Sequence, residues 1–141
     1  MSEENKAVVR AIEEAWDSGA IDQLDQYFSD QFDNSQSGVP GLPPGLAGAK
    51  MAHQGAMQSF PDRKVEIIDL VGDGDKVMVR ARITGTNQGG FPLFGVPANG
   101  NPVDFESWSI YTLRDGKAVG HVGMNDAFLL GMQLGAFPAP G

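Results

Sequence analysis

Two pairs of apolar stretches, each joined by a turn of three or four residues, constrain this 141-residue chain more than any other feature. Residues 65–71 and 77–86 flank GDGD at 72–75, and residues 103–113 and 117–126 flank RDG at 114–116. A turn that short closes an antiparallel hairpin, because a parallel pair needs a crossover of about a dozen residues or more. Within 77–86 the alternation is clean: Val77, Val79, Ala81 and Ile83 form one row, and Met78, Arg80, Arg82 and Thr84 the other. Arg80 and Arg82 are expected to face solvent, whereas residues 65–71 have no clean polar face. In 103–113, Trp108 and Ile110 are read as core, opposite a row of Phe105, Ser107, Ser109 and Tyr111. Two serines between two aromatic rings leave a gap suited to a flat aromatic ligand; the same row also fits an exposed or dimer face.

The first third of the chain is helical in pattern. Over 3–18, Val8, Ile12 and Trp16 recur at i, i+4 spacing, with Glu3, Glu4, Arg10, Glu13 and Glu14 on the opposite, solvated side. A short helix is expected over 21–28, a Gly- and Pro-rich loop over 35–48, and a helix of small residues carrying His53 over 49–60, closed by Pro61. Residues 85–102 are again rich in Gly and Pro but contain Phe91, Leu93, Phe94 and Val96, so this loop is expected to fold over something. Residues 127–134 form an apolar tail that Gly135 ends. Helices followed by four antiparallel strands make an α+β layout, with helices on one face of a curved sheet. The length fits a single domain over 1–141.

Composition removes several function classes. Ten Lys+Arg against 18 Asp+Glu give a net charge of −8, which repels nucleic acid and anionic membranes. The absence of cysteine excludes disulfide scaffolds, thiolate metal sites and cysteine nucleophiles. With two histidines and no HExxH spacing, no metal is expected. No GxSxG, phosphate-binding loop or dinucleotide fingerprint is present. The start, MSEENKAVV, is charged where a signal peptide is apolar, and the expectation is a soluble, cytoplasmic protein.

An ordered series of marks carries a family resemblance. FPD at 60–62 is followed by Gly85-Thr86, a G-x-P element at 95–97, DGK at 115–117, His121 with Asp126 five residues on, and QLG at 133–135. In these the chain resembles the polyketide cyclases related to nogalonic acid methyl ester cyclase, within the nuclear-transport-factor-2-like fold. The resemblance implies a cone-shaped α+β domain, an apolar pocket at its open end and a homodimer through the sheet. It also implies cofactor-free intramolecular aldol chemistry by a carboxylate two residues after the late histidine. That position is Gly123 here, and a second pocket histidine of the family falls at Ser109.

The candidate catalytic residues are therefore Asp126, His121 and Asp33. Asp126 is either a pocket base or the N-cap of a terminal helix. His121 either moves protons or is hydrogen-bonded beneath the sheet. By the two-residue period it shares a face with 123 and 125, so Asp126 lies opposite unless a bulge re-aims it. Asp33 and Asn34 lie in a β-like segment, 31–34, where related proteins place a polar pocket residue, although turn chemistry also explains them. Asn34, His53, Phe91, Phe94, Ser109, Tyr111 and Asn125 are the candidate substrate-binding residues. The expected guest is a small hydrophobic or aromatic polyketide-like carbonyl compound. A binding protein without turnover, or a cofactor-free hydroxylase, would use the same scaffold.

Overall fold

The computed structural model describes residues 2–36 and 39–137. Helix α1 (Ser2–Ser18) leads into a 3-10 helix (Ile21–Tyr27) and strand β1 (Phe28–Gln36). Helix α2 (Gly45–Ser59) precedes β2 (Lys64–Asp73) and β3 (Lys76–Thr86); β4 (Pro102–Arg114), β5 (Lys117–Asn125) and helix α3 (Ala127–Leu134) complete the chain. The sheet order is β1-β5-β4-β3-β2.

Both short turns do close antiparallel hairpins, β2–β3 and β4–β5. The second has Asp115 and Gly116 at positive φ (52° and 76°), the backbone that a tight two-residue hairpin turn demands. The sheet nevertheless has five strands and is mixed. The β-like segment at 31–34 extends to nine residues and pairs with β5 in parallel, Phe28 opposite Ala118. The connection that parallel pairing requires is supplied by everything between these strands, α2 included. Residues 21–27 wind as a 3-10 helix rather than an α-helix, ending where Phe28 turns extended. Of the loop expected over 35–48, Ser35 and Gln36 belong to β1 and Gly45 onward to α2, while 37 and 38 lie outside the described residues.

The rows of β3 fall as their alternation requires: Val77, Val79, Ala81 and Ile83 are all buried. Register then fixes β4, because Val79 pairs with Ser109 and Ala81 with Ser107, and paired residues share a face. The serine row is therefore on the helix-covered side. Trp108 and Ile110, read as core from sequence, stand on the uncovered face with 52% and 43% of their surface exposed. Arg80 also lies on that outer face, clamped in a bidentate ion pair by Glu106 at 2.6 and 2.8 Å, and Arg82 is paired with Asp104.

The core is divided. One apolar cluster joins Val9, Ile12 and Leu24 to Phe28, Phe32, Val77, Val79 and Tyr111. The other joins Phe60, Ile83, Val103 and Phe105 to Leu130 and Leu134 of α3, with Phe91 and Phe94 packed against it. Ser107 and Ser109, half-buried between Phe105 and Tyr111, belong to neither.

The Gly/Pro loop after β3 is tied down rather than loose. Asn87 is fully buried; its Nδ2 donates to the Pro97 carbonyl and to Asn99 Oδ1, and its Oδ1 accepts from the Gly90 amide. Asn99 and Asn101 donate in turn to the Leu134 and Gln133 carbonyls at the end of α3. Gly89 is there because a Cβ would collide with the Gln58 carbonyl of α2. The sequence marks also meet in space: Asp62 of FPD accepts from both the backbone amide and the hydroxyl of Thr86, and the Gln133 side chain bonds the amide and carbonyl of Asp104 as a further strand would.

Candidate functional site

The site begins with the row on β5 that shares the covered face. His121 stands opposite Tyr111, Gly123 opposite Ser109, and Asn125 opposite Ser107. The irregularity in this hairpin falls between Thr112 and Leu113, so the pairing from Tyr111–His121 to Ser107–Asn125 stays regular. His121 and Tyr111 rings lie 4.7 Å apart at 54°. His121 Nδ1 is buried without a hydrogen-bond partner, and burial lowers the imidazole to about 4, so it is neutral near pH 7. The reading in which this histidine is hydrogen-bonded beneath the sheet does not hold for Nδ1.

Tyr111 is buried, and its hydroxyl donates to Glu13 Oε1 at 3.1 Å. The sequence pattern places Glu13 on the solvated side of the first helix, whereas in the structure it is half-buried against β4. Val9, Glu13 and Trp16 are spaced i, i+4, i+7, so the helix turns Glu13 toward the sheet. Burial raises the Glu13 carboxyl, against the opposing pull of the Tyr111 hydrogen bond and the Arg63 charge. Arg63, just ahead of β2, has Nη1 buried without a partner. Burial lowers its guanidinium, while Glu13 and Asp17 act to hold the charge. Among the described residues, His121 Nδ1 and Arg63 Nη1 are the buried side-chain nitrogen or oxygen atoms without a partner. Unsatisfied groups of this kind are rare in native proteins and mark places where a ligand or water completes the bonding.

The other candidates are distributed as follows. Asn34 is buried, on the side of β1 that carries Phe28 and Phe32. His53, half-buried on α2, donates from Nε2 to the Trp16 carbonyl at 2.8 Å and lies 5.0 Å from the indole; burial lowers its pKa. Phe91 and Phe94 join a run of rings from Phe60 to Phe137, with neighbouring centroids 5.0–5.9 Å apart. Asp33 is exposed, and its carboxylate is held low by the amide and hydroxyl of Ser35. Asp126 is exposed and caps α3, accepting from the Leu129 amide at 3.2 Å. The structure thus brings His121, Tyr111, Ser109 and Asn125 into one row and leaves both expected carboxylates outside it. Two surface depressions, of about 350 and 570 Å³, lie around the β2–β3 and β4–β5 turns and are lined by none of the candidate residues. No three His, Cys, Asp or Glu side chains among the described residues gather as metal ligands.

The model of the SnoaL-like polyketide cyclases matches residues 6–134, the span that contains the whole sheet, every candidate side chain and the helices save the first four residues of α1. The chain belongs to the SnoaL-like polyketide cyclase family. Its fold is that of solved family structures. A candidate polyketide cyclase of Bacillus cereus is 29% identical, with a TM-score of 0.80 over 96% of this chain and 83% of that one. IdmH of Streptomyces antibioticus, described in the same terms, is 26% identical, with a TM-score of 0.77 over 93% and 98%. AclR of Streptomyces galilaeus, a candidate hydroxylase, is 23% identical and shares the fold with a TM-score of 0.84 over 100% and 87%. No curated protein matches the chain significantly. In this SnoaL-like domain the position two residues after the histidine is Gly123, which carries no carboxylate. No helix among the described residues is long and apolar enough to cross a membrane.

Proposed function

We propose that this SnoaL-like domain is a cofactor-free enzyme that performs acid–base chemistry on a small hydrophobic carbonyl compound of the polyketide type, by aldol cyclisation, isomerisation or dehydration. The observation that carries the proposal is the His121 imidazole: neutral, beside Tyr111, with Nδ1 buried and unpartnered. A neutral imidazole can take a proton from a carbon next to a carbonyl, and a phenol beside it can stabilise the enolate oxygen. The position proposed for a flat ring is beside the small, half-buried Ser107, Ser109 and Gly123, between Phe105 and Tyr111. Asp126 and Asp33 take no part, since both carboxylates are exposed and bonded to backbone.

The test follows the α-protons of 2-tetralone by proton NMR in heavy water. The protein should speed their exchange over buffer, and His121→Asn should lower the rate by about 100-fold or more. Exchange no faster than in buffer, or undiminished in the variant, defeats the proposal. Gly123 favours a second reading, a domain that binds such compounds without converting them; ligand-induced thermal stabilisation with no exchange would select it. The partner proposed for the outer sheet face is a second copy of this chain, through exposed Trp108, Ile110, Val122 and Met124.

A further inference from the structure

The proton-transfer reading leaves a need unmet: removal of a proton by His121 leaves negative charge on the ligand oxygen, and Gly123 supplies no acid. The polar groups that reach the covered face from the helices meet this need. Glu13 projects from α1 onto β4, where its Oε1 accepts the Tyr111 hydroxyl at 3.1 Å, and the Tyr111 ring lies 4.7 Å from His121. A single line of contacts therefore runs from a carboxyl through a phenol to the imidazole.

We propose that Glu13 works through Tyr111 as the proton donor of the site, its carboxyl passing a proton to the phenol as the phenol passes its own to the ligand oxygen beside His121. This inference rests on the proton-transfer reading above. The step balances. The C–H bond next to the carbonyl breaks, its proton forms an N–H bond on the imidazole, and its electron pair becomes the C=C bond of the enol. The carbonyl π pair takes the Tyr111 proton, and the phenol oxygen takes the proton of Glu13. The products are a neutral enol, an imidazolium and a Glu13 carboxylate. Tyr111 is the group that touches the ligand, and Glu13 is a positioning residue that also holds the proton in reserve.

The two protonation states of Glu13 have opposite effects. An ionised carboxylate accepts from Tyr111 and withholds the phenol proton from the ligand. A neutral carboxyl donates to the phenol oxygen and frees that proton. The surroundings favour the neutral form. Burial raises the carboxyl and exceeds the pull of Tyr111 from β4 and Arg63 from the segment ahead of β2. Asp17, one turn along α1, acts on the same guanidinium, which in turn acts on His53 of α2, and His121 stands beside Tyr111 on β5. Ligand affinity should therefore fall as the pH rises above the ordinary glutamate value and through the raised one.

The test measures the dissociation constant of 2-tetralone by calorimetry between about pH 5 and 8, together with its deuterium exchange, for the wild type, Glu13→Gln and Tyr111→Phe. Wild-type affinity should drop by about 5-fold as the pH passes through the value at which Glu13 is seen to titrate, one hydrogen bond being at stake. Glu13→Gln presents an N–H to the phenol at every pH, so it should bind throughout as the wild type binds in acid, with no slope. Tyr111→Phe should bind about 5-fold more weakly, again with no slope. In carbon-13 NMR the Glu13 carboxyl should titrate above its ordinary value, and higher still in Tyr111→Phe, which removes the hydrogen bond that lowers it. A Glu13→Gln profile that overlays the wild type, or a Glu13 carboxyl titrating at its ordinary value, overturns this inference alone when wild-type exchange persists. If the wild type neither binds nor exchanges the ketone, both readings fall. Melting curves of the variants confirm that each is folded.

Discussion

The buried imidazole of His121 ties the stability of the domain to pH in a way that can be worked out in advance. Its folded-state value is about 4, below the ordinary 6.5, and burial is the cause. A lowered value means the unfolded chain takes up a proton that the folded chain refuses. The stability this group contributes is therefore present in full above 6.5 and is lost as the pH falls from 6.5 toward 4. The full span is worth about 3 kcal/mol, of which about 2 kcal/mol is gone by pH 5. His53, also lowered by burial, acts in the same direction. Glu13, raised by burial, acts in the other: its contribution is present below the ordinary 4.5 and is lost as the pH rises through its folded value. The wild-type curve mixes these effects, so the comparison with His121→Asn isolates one of them. Urea unfolding near neutrality and at pH 5 should show the wild type losing about 2 kcal/mol more than the variant. Parallel curves, or a His121 ring that titrates near 6.5 in proton NMR of the folded protein, would refute the reasoning.

Leu134 is fully buried where α3 meets the second apolar cluster, so Leu134→Ala should cost about 2–5 kcal/mol in urea unfolding. Asp126→Ala should cost about 1 kcal/mol as a lost cap, while Asp126→Asn, an equally good cap, should leave both the melting temperature and ketone exchange unchanged. If the outer face joins two copies, Trp108→Glu with Met124→Glu should convert a dimer to a monomer in light scattering, since both side chains are more than half exposed in the single chain.

The sequence reveals the hairpins because the strongest local signal, alternation in β3, coincides with turn residues that allow little else. It also contains the face of β4, but only through pairing: once Val79 and Ala81 are inward, Ser109 and Ser107 must be too. Reading β4 alone, by the size of Trp108 and Ile110, gives the reverse result, because large apolar residues also populate surfaces that meet other surfaces. Parallel pairing of β1 leaves no local mark, since its partner is some ninety residues away in sequence. Of the proposed site, His121 and Tyr111 stand out as candidates by residue type and by the two-residue period of their strands. Asp126 is ambiguous because a cap and a base look alike in a sequence; the bond from the Leu129 amide shows the cap. Glu13 is hidden among neighbouring acids; its one signal is the i, i+4, i+7 run with Val9 and Trp16.

The parallel edge strand has a consequence for how the protein is made. Phe28 to Gln36 leave the ribosome early, yet their hydrogen-bonding partners, Ala118 to Val122, come nearly last. Until then this stretch has open amide and carbonyl groups, although Phe28 and Phe32 can already pack against Val9, Ile12 and Leu24. The β2–β3 hairpin can assemble during translation, but the Asn34 side of the domain waits for the C-terminal hairpin. Such long-range closure makes the last docking event the slow one and the early strand the segment most in need of protection from aggregation while synthesis proceeds.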